Sequence, residues 1–312
     1  MEKEHLSKDK PLLSICIPTY NRCEYLKETL ENITSDPDFN DKVEIVISDN
    51  ASTDNTKEIA ELYCNKFENV RYFRNNENVR DANFNLCLTR ATGEYRKLNN
   101  DTCRIKEGKL KIILEALKDN EKKIPIFFCP ASPFLKKGVY TCSGVIDIIN
   151  KVGFYLGWIL MFGAYQEDLK CMDVDKKYVQ LQFAQVAWTL EIVKKHSAAI
   201  VVVDDFYKIF DPPKKGGYNF FKVQITNLFS IFSEYGLKGL DYERQKYRLF
   251  KYHIKNRIKE YLILKEETGF DLSDSWKTLF KEYGLRPYFL SKLISYYIRN
   301  SLHLLKSKKD ER

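Results

Sequence analysis

The sequence predicts an α/β fold, in which helices cover both faces of a mostly parallel sheet, followed by a helical carboxy-terminal region. Over residues 12–129, short apolar runs alternate with segments whose apolar residues recur at helical spacing. In the last third of the chain this alternation stops, and the spacing of apolar residues is helical. We therefore expect two parts, residues 1–215 and residues 216–312, with the boundary at the paired glycines Gly216 and Gly217.

The predicted elements alternate in chain order. Apolar runs predict buried strands at residues 12–17, 43–47, 70–73, 94–98 and 124–129. Helices are predicted between them, with starts near Glu24, Asp54, Asp81 and Leu110. Farther along, the pattern favours strands at residues 158–162 and 198–203 and a helix at residues 179–190. Ligands of such sheets bind beyond the carboxyl ends of the strands, so the loops that follow the strands are the candidate site.

The composition is that of an ordinary globular protein, with 44% hydrophobic and 30% charged residues. The eight cysteines form no C-x-x-C pair and there are four histidines, which disfavours a structural zinc site and is typical of reduced thiols. Residues 1–10 are charged and resemble no signal peptide, and no stretch reaches the roughly 18 apolar residues that span a bilayer. We expect a cytoplasmic protein.

The formal net charge is +8, and much of the excess lies near the carboxyl terminus. Residues 286–312 contain seven Lys or Arg residues against Asp310 and Glu311. Two interpretations fit: a tail that contacts an anionic membrane peripherally, and a packed helix with a solvated basic face. A nucleic-acid partner is disfavoured, because no RNA- or DNA-binding motif accompanies the basic residues.

Polar residues follow the first two predicted strands. Pro18 is followed by Thr19, Tyr20 and Arg22, which bring a hydroxyl, an aromatic ring and a guanidinium that suit a base and a phosphate. Asp49 ends the second strand, where its carboxylate can accept the N–H of a uracil-type ring. Ordinary turn chemistry explains both segments equally well, since Asp49 can cap the turn that follows it.

Two further polar segments follow the next strands. Arg80 and Asp81 lie at a predicted helix start, where free N–H groups favour anions. Asn100 and Asp101 end the fourth strand, where a carboxylate suits a hard divalent cation. A capped, solvated helix start is the other interpretation of the first segment, and a single carboxylate predicts a weaker metal site than two.

In chain order these segments read PTYNR, SDNASTDNT, NENVRDANFN and GEYRKLNND. Together they closely resemble the donor half of family 2 glycosyltransferases, which have the GT-A fold, over residues 11–103. The third segment is most similar to transferases of bacterial surface polysaccharides, including the abequosyltransferase-like branch. The resemblance implies an inverting, hexosyltransferase-type enzyme. Its donor would be a nucleotide-diphosphate sugar, with UDP expected, and its acceptor a glycan or lipid-linked glycan.

The resemblance also implies residue roles. Thr19 and Tyr20 would line the nucleoside pocket, Asp49 would bind the base, and Arg80 and Asp81 would lie near the base and phosphates. Asn100 and Asp101 fall where the family has an acidic D-x-D cluster that holds ribose and Mg²⁺ or Mn²⁺.

This chain departs from that cluster, because it reads Asn99, Asn100, Asp101, Thr102. Asp101 is then the expected metal carboxylate, and Asn100 offers only a neutral oxygen. We expect a working enzyme with a weaker or altered metal site, in which phosphate charge is met in part by arginines, namely Arg80, Arg96 and Arg104. The alternative is a weakened or inactive paralogue that binds sugar nucleotides.

The general base should be a carboxylate near a Glu-Asp pair that opens a helix in the family. Glu167 and Asp168 match by letters but are predicted at a strand end, ahead of a helix that begins near Tyr178. Asp175 lies closer to that helix, and we predict it as the base over Asp168. Plain surface carboxylates are the remaining interpretation.

Overall fold

The computed structural model describes residues 10–172, 177–210 and 216–296. The chain forms two compact units, Met1–Asp211 and Pro212–Arg312. The predicted boundary residues Gly216 and Gly217 lie in the first strand of the second unit. The predicted base Asp175 lies outside the described residues.

The first unit is built on a five-stranded sheet with the order β3-β2-β1-β4-β8. Its strands are β1 (Leu13–Thr19), β2 (Val43–Asp49), β3 (Val70–Arg74), β4 (Tyr95–Leu98) and β8 (Gly163–Tyr165). Four strands run parallel, and β8 pairs antiparallel with β4. All seven residues of β1 and of β2 are buried, which is why both read as nearly continuous apolar runs.

Helices cover both faces of this sheet. The helices of the first unit are α1 (Cys23–Thr34), α2 (Thr56–Lys66), α3 (Ala82–Arg90), α4 (Lys109–Lys118), α5 (Val145–Val152), α6 (Lys177–Gln180) and α7 (Ala184–His196). Ile15 belongs to one core cluster, with residues of α1, α2 and α4, whereas its neighbour Cys16 belongs to another, with residues of α3 and α7. This alternation of faces confirms the predicted α/β layering.

Two smaller sheets complete the first unit. The first has the order β6-β9-β7, with β6 (Ile126–Pro130), β7 (Gly138–Cys142) and β9 (Ala199–Asp204). The second pairs β5 (Cys103–Ile105) with β10 (Tyr207–Ile209) in antiparallel register. The eight cysteines of the chain are free thiols.

The strand predicted at residues 158–162 was wrong. This segment contains a short 3-10 turn at Ile159–Met161. The strand begins only at Gly163, after the predicted segment has ended. A Cβ at Gly163 would lie 2.3 Å from the hydroxyl of Tyr95, so only glycine allows this strand to pack against the tyrosine of β4. The apolar run suggested a strand because it is buried, and burial alone does not distinguish a strand from a packed turn.

The second unit is mainly helical, as predicted. Its elements are β11 (Gly216–Asn219), α8 (Leu228–Glu234), α9 (Gly239–Leu249), α10 (Lys255–Arg257), β12 (Gly269–Asp271) and α11 (Ser275–Tyr283). Three π-helical segments lie among them, at Lys222–Asn227, Phe250–Ile254 and Ile258–Ile263, and residues 287–296 are helical. Within the part of the chain that the structure describes, no helix has the length and apolar character needed to cross a membrane.

One charged residue lies inside the first unit. Lys97 of β4 is buried; its ammonium group donates to the carbonyl oxygens of Leu98, at 3.3 Å, and Leu160, and lies 5.1 Å from the ring centroid of Tyr207. Burial lowers the pKa of Lys97 to about 7, because the charged form is poorly solvated there.

This pKa predicts a dependence of stability on pH. Above pH 7 the folded chain has largely lost a proton that the unfolded chain keeps up to the ordinary lysine pKa, so the free energy of unfolding rises with pH in this window. Between pH 7 and pH 8 we expect the contribution to be about 1 kcal/mol. Urea denaturation at the two pH values should show this rise in the native sequence and lose it in Lys97→Met.

The control is Lys111→Met, which removes an exposed lysine of α4. It should keep the rise, since Lys97 stays in place. An equal slope in Lys97→Met and the native sequence would show that Lys97 is charged in the folded chain at both pH values.

Candidate functional site

The candidate site lies where three adjacent parallel strands end. Thr19 ends β1 and Asp49 ends β2, and the two residues are register partners. On the other side of β1, the backbone N–H of Asn99 donates to the carbonyl of Cys16 at 2.8 Å, which extends the pairing of β4 into its loop. The parallel register therefore places the three polar loops side by side.

The first two loops are tied to each other. The backbone N–H of Asn21 donates to the hydroxyl of Ser52 at 2.9 Å, and the backbone N–H of Thr53 donates to the side-chain oxygen of Asn21 at 2.7 Å. Asn21 and Ala51 both have left-handed backbone conformations, with φ of 51° and 63°. Asparagine tolerates a left-handed backbone conformation, whereas alanine disfavours it. The two hydrogen bonds between the loops offset the conformational free-energy cost at Ala51.

Asp101 is the buried centre of the site. Its carboxylate accepts hydrogen bonds from the hydroxyl of Thr19 at 2.9 Å and from Nη1 of Arg22 at 3.1 Å, and it is 1% exposed. Its backbone carbonyl accepts from the hydroxyl of Thr29 at 2.7 Å. Burial raises the pKa of Asp101, and the charge of Arg22 and the hydroxyl of Thr19 oppose that rise.

Arg22 and Tyr20 are the accessible side chains of the first loop. The side chain of Arg22 is 40% exposed although its guanidinium contacts the buried carboxylate, and Tyr20 is 42% exposed. Pro18, the residue before Thr19, is buried within β1. A cation and an aromatic ring therefore face solvent beside the strand ends.

The metal ligands available at this edge are few. Among the described residues there is no group of three His, Cys, Asp or Glu side chains that could hold an ion. Asn99 is turned inward, where its amide donates to the carbonyl oxygens of Asn100, at 2.9 Å, and Cys103, at 3.3 Å. Asp101 and Asn100 remain as candidate ligands, and both oxygens of the Asp101 carboxylate already accept hydrogen bonds, from Thr19 and Arg22.

Asp49 is fully buried and holds the second loop. One carboxylate oxygen accepts from the backbone N–H of Ser52 at 2.8 Å, and the other accepts from the hydroxyl of Tyr72 at 2.7 Å. Nε of Arg74 lies 3.5 Å from the second oxygen. The pKa of Tyr72 is raised, mainly by burial and secondly by its hydrogen bond to the Asp49 carboxylate. The turn-capping interpretation of Asp49 thus has a direct structural basis, and its contact with a base stays a prediction.

A network of buried amides, which our sequence interpretation missed, supports the third loop. The Asn75 amide donates to the side-chain oxygens of Asn50, at 3.0 Å, and Asn83, at 2.9 Å. Ser48 donates to Asn83 at 2.7 Å, and Arg90 donates to Ser48 at 2.6 Å and to Asn75 at 2.8 Å. The available signal was the recurrence of asparagine in two neighbouring motifs, since amides can donate and accept at once.

This network positions Arg80 and Asp81. The backbone N–H of Arg80 donates to the side-chain oxygen of Asn78 at 2.9 Å, and its carbonyl accepts from the amide of Asn50 at 3.3 Å. Arg80 has a left-handed φ of 52° and an exposed side chain. Asp81 precedes α3, and burial raises its pKa while Arg80 opposes the rise.

The other two arginines considered for phosphate charge are engaged elsewhere. Arg96 is buried and donates to the carbonyl oxygens of Leu88, at 2.8 Å, and Gly93, at 3.3 Å. Arg104 pairs with Glu28 and lies over the ring of Phe210, 3.9 Å from its centroid. The exposed cations of these loops are therefore Arg22 and Arg80.

The Glu-Asp pair follows a strand end, as the sequence predicted, but it lies in a short 3-10 helix that the sequence did not predict. Glu167 and Asp168 lie at the start of a 3-10 helix, Gln166–Met172, that directly follows β8. Asp168 is buried, and one of its oxygens accepts from Nζ of Lys195 and contacts Nε2 of His196, each at 2.7 Å. Its other oxygen is buried without a hydrogen-bond partner among the described residues. The pair therefore lies in the first turn of a helical segment.

Comparison with known sequences matches the part of the chain that carries these loops. The family model described as Glycosyl transferase family 2 matches residues 14–140. Abequosyltransferase RfbV of Salmonella typhimurium is 46% identical over 86 residues, 27% of this chain and 26% of that protein. GalNAc(5)-diNAcBac-PP-undecaprenol beta-1,3-glucosyltransferase of Campylobacter jejuni is 30% identical over 119 residues, 38% of this chain and 37% of that protein. The matches thus span less than two fifths of these relatives.

Comparison with solved structures extends over most of the chain. The structure of S. aureus TarS 1-349 in complex with UDP-GlcNAc superposes with a TM-score of 0.58, covering 91% of this chain and 89% of that one. The sequence identity is 17%, so the likeness establishes the fold, and the predicted GT-A fold is confirmed. The match to the Glycosyl transferase family 2 model thus covers the segment that carries the strand-end loops.

Proposed function

We propose that this protein transfers a sugar from a UDP-linked donor to a hydroxyl of a glycan or lipid-linked glycan, with inversion, in bacterial surface polysaccharide synthesis. The observation that carries the proposal is the Thr19–Asp101–Arg22 cluster at the carboxyl edge of the sheet, inside the family match. The similarity to an abequosyltransferase and to a glucosyltransferase named for an undecaprenol-linked glycan supports this acceptor class, and the UDP-GlcNAc in TarS supports UDP.

The exposed residues of the loops suit the donor. The ring of Tyr20 can stack on the base. Asp49 is buried, and we propose its carboxylate as the acceptor of the base N–H. Arg22 and Arg80 can meet the diphosphate, whose negative charge grows as the bond to the sugar breaks. Two guanidinium groups at this place stabilise the leaving group more than the intact donor, which is what lowers the barrier.

A divalent cation, when bound, supplies further positive charge to the diphosphate. Asp101 and Asn100 would hold it, and Asp101 would share its charge between the cation and Arg22. We therefore expect activity to depend only partly on Mn²⁺ or Mg²⁺, in a protein that works in the cytoplasm, peripherally at the inner face of the membrane where lipid-linked acceptors reside.

The acceptor hydroxyl must lose its proton to a carboxylate as its oxygen forms the bond to the anomeric carbon. Among the described residues no donor reaches the second oxygen of Asp168, and this favours Asp168 as the base, because a buried polar atom without a partner calls for a functional explanation. Asp175 is the alternative base. Lys195 and His196 would position Asp168 from the other oxygen.

A second candidate function is that of a sugar-nucleotide-binding paralogue without turnover. The ion pair between Arg22 and Asp101 favours it, because it occupies the carboxylate on which metal chemistry would depend. A protein with this function would bind the sugar-nucleotide donor but would not transfer the sugar.

The first prediction concerns Asp101. Asp101→Asn keeps the shape of the side chain and removes its charge, so we expect turnover of UDP-hexoses to fall at least about 100-fold. Asn100→Asp adds a second carboxylate and should lower the Mn²⁺ concentration needed for half-maximal turnover. Turnover against metal concentration, for both variants and the native protein, is the measurement.

Asp119→Asn, which removes an exposed carboxylate after α4, is the matched control and should leave turnover unchanged. Full turnover of Asp101→Asn with a chelator present would remove Asp101 from the mechanism. A native protein that binds UDP but turns over no UDP-, GDP-, CDP- or dTDP-sugar with any metal would establish the second candidate function.

The second prediction concerns Asp49. Asp49→Asn keeps an oxygen for the Ser52 N–H but loses the charge that a base N–H would meet, so UDP affinity should fall by about 1–3 kcal/mol. Titration calorimetry with UDP measures this. Tyr72→Phe removes the neighbouring hydroxyl and keeps the carboxylate, and it should bind UDP nearly as the native protein does. Equal UDP affinity in Asp49→Asn and the native protein would leave Asp49 with its turn-capping role alone.

The third prediction separates the two candidate bases. Asp168→Asn should lower kcat about 10²- to 10⁴-fold with little change in UDP affinity, because a general base acts on the acceptor and not on the donor. Asp175→Asn should retain most of the native kcat. The reverse order of the two kcat values would assign the base to Asp175 and leave Asp168 as a structural carboxylate.

A further inference from the structure

Two aromatic rings of the first unit form a partly exposed surface. Tyr155 belongs to a 3-10 helix, Gly153–Gly157, and Trp158 follows that helix directly. Both side chains are half-buried, and their rings meet edge to face, with centroids 5.0 Å apart and an angle of 71° between the planes. On its other side the ring of Tyr155 stacks on the buried ring of Phe154, with centroids 4.6 Å apart. The pair therefore offers a ligand two apolar faces at a steep angle to each other.

The strand pairing brings this surface to the edge of the sheet that carries the donor loops. β8 runs antiparallel to β4 and pairs Gly163 with Lys97, so the residues before Gly163 lie at the carboxyl end of β4. The backbone N–H of Leu98 donates to the carbonyl of Phe162 at 3.1 Å, which extends the pairing toward Trp158. The short segment that contains Trp158 is therefore at the edge where the loop after β4 begins.

The backbone that carries Trp158 is held in place. Its N–H donates to the carbonyl of Tyr155 at 2.9 Å, and the amide of Gln185 donates to the carbonyl of Gly157 at 2.9 Å. A Cβ at Gly157 would lie 2.8 Å from the ring of Phe183, so glycine allows this ring to pack closely against the turn. A ring on a fixed backbone loses little freedom when a ligand stacks on it, which favours binding.

We propose that the aromatic surface formed by Tyr155 and Trp158 binds a sugar ring of the acceptor glycan. One face of a pyranose ring carries mainly C–H groups, and stacking that face on an indole removes apolar area from water while the hydroxyls at the rim stay hydrated. The inference rests on the proposed function for the class of ligand. It assigns recognition of the acceptor to the sugar ring and not to a lipid chain.

The test uses the full chain and three variants. Trp158→Leu removes the ring and keeps an apolar side chain, and Trp158→Tyr keeps an aromatic face. Trp276→Leu is the matched control, since Trp276 is an exposed tryptophan of α11 in the second unit. The probes are the octyl glycosides of glucose, galactose and N-acetylglucosamine. The blank is the octyl ether of tetraethylene glycol, which has the same alkyl chain and no sugar. Ligand-observed NMR titrations measure the affinities.

We expect the native chain to bind at least one glycoside more tightly than the ether. Trp158→Leu should bind that glycoside about 10-fold more weakly, because the stacked contact is lost, and Trp158→Tyr and Trp276→Leu should stay within about 3-fold of the native chain. Equal affinity in Trp158→Leu and the native chain, or an equal loss in Trp276→Leu, would overturn the proposal. Glycoside binding no tighter than that of the ether would also overturn it. If Trp158→Leu does not fold, Tyr155→Leu replaces it with the same expectations.

UDP affinity, titrated on the same proteins, separates this result from the fate of the donor site. A native chain that binds a glycoside through Trp158 but binds no UDP keeps the aromatic surface as a sugar site and refutes the proposed function. A native chain that binds UDP but no glycoside refutes the aromatic surface and leaves the donor site in place.

Discussion

The parallel register of β2, β1 and β4 is the constraint on which the site depends. This register sets Thr19 opposite Asp49. It also leads the loop after β4 back to Thr19, so that the Asp101 carboxylate can accept a hydrogen bond from the Thr19 hydroxyl. A shift of one residue in β1 or β2 would exchange the side chains of the two buried faces and move the polar strand ends out of line with one another. The packing of the buried cores on both faces therefore determines the positions of the site residues as well as the register of the sheet.

Burial of polar groups is the second requirement of this edge. Asp49, Asp101 and the amides of Asn75 and Asn83 are all almost inaccessible, and each meets donors or acceptors from a neighbouring loop. Such groups are stabilising only when they are fully paired, because an unpaired buried polar group costs roughly 1–3 kcal/mol. The loops are thus held rigidly before any donor binds, which lowers the entropy lost on binding.

The sequence predicted the sheet, its helices and the loops at its edge, because buried parallel strands are continuous apolar runs and loop residues are polar. It did not predict the strand at Gly163 or the helical turn at Glu167, since a three-residue strand and a short 3-10 turn leave no periodic signal. The sequence also did not predict which side chains form hydrogen bonds with one another. That Asp49 meets Ser52 and Tyr72 depends on residues brought together only by the folded loops.

The ion pair between Arg22 and Asp101 shows how an arginine can take over from a metal ion the balancing of a carboxylate's charge. Where a cluster of carboxylates would repel itself without a cation, a single buried carboxylate is neutralised by one guanidinium 3.1 Å away. Asparagine at position 100 removes the second charge, and with it the requirement that a metal balance the cluster. Under the proposed function, the exposed side of Arg22 would meet the diphosphate, so positive charge at the leaving group would persist while the need for a bound ion weakens.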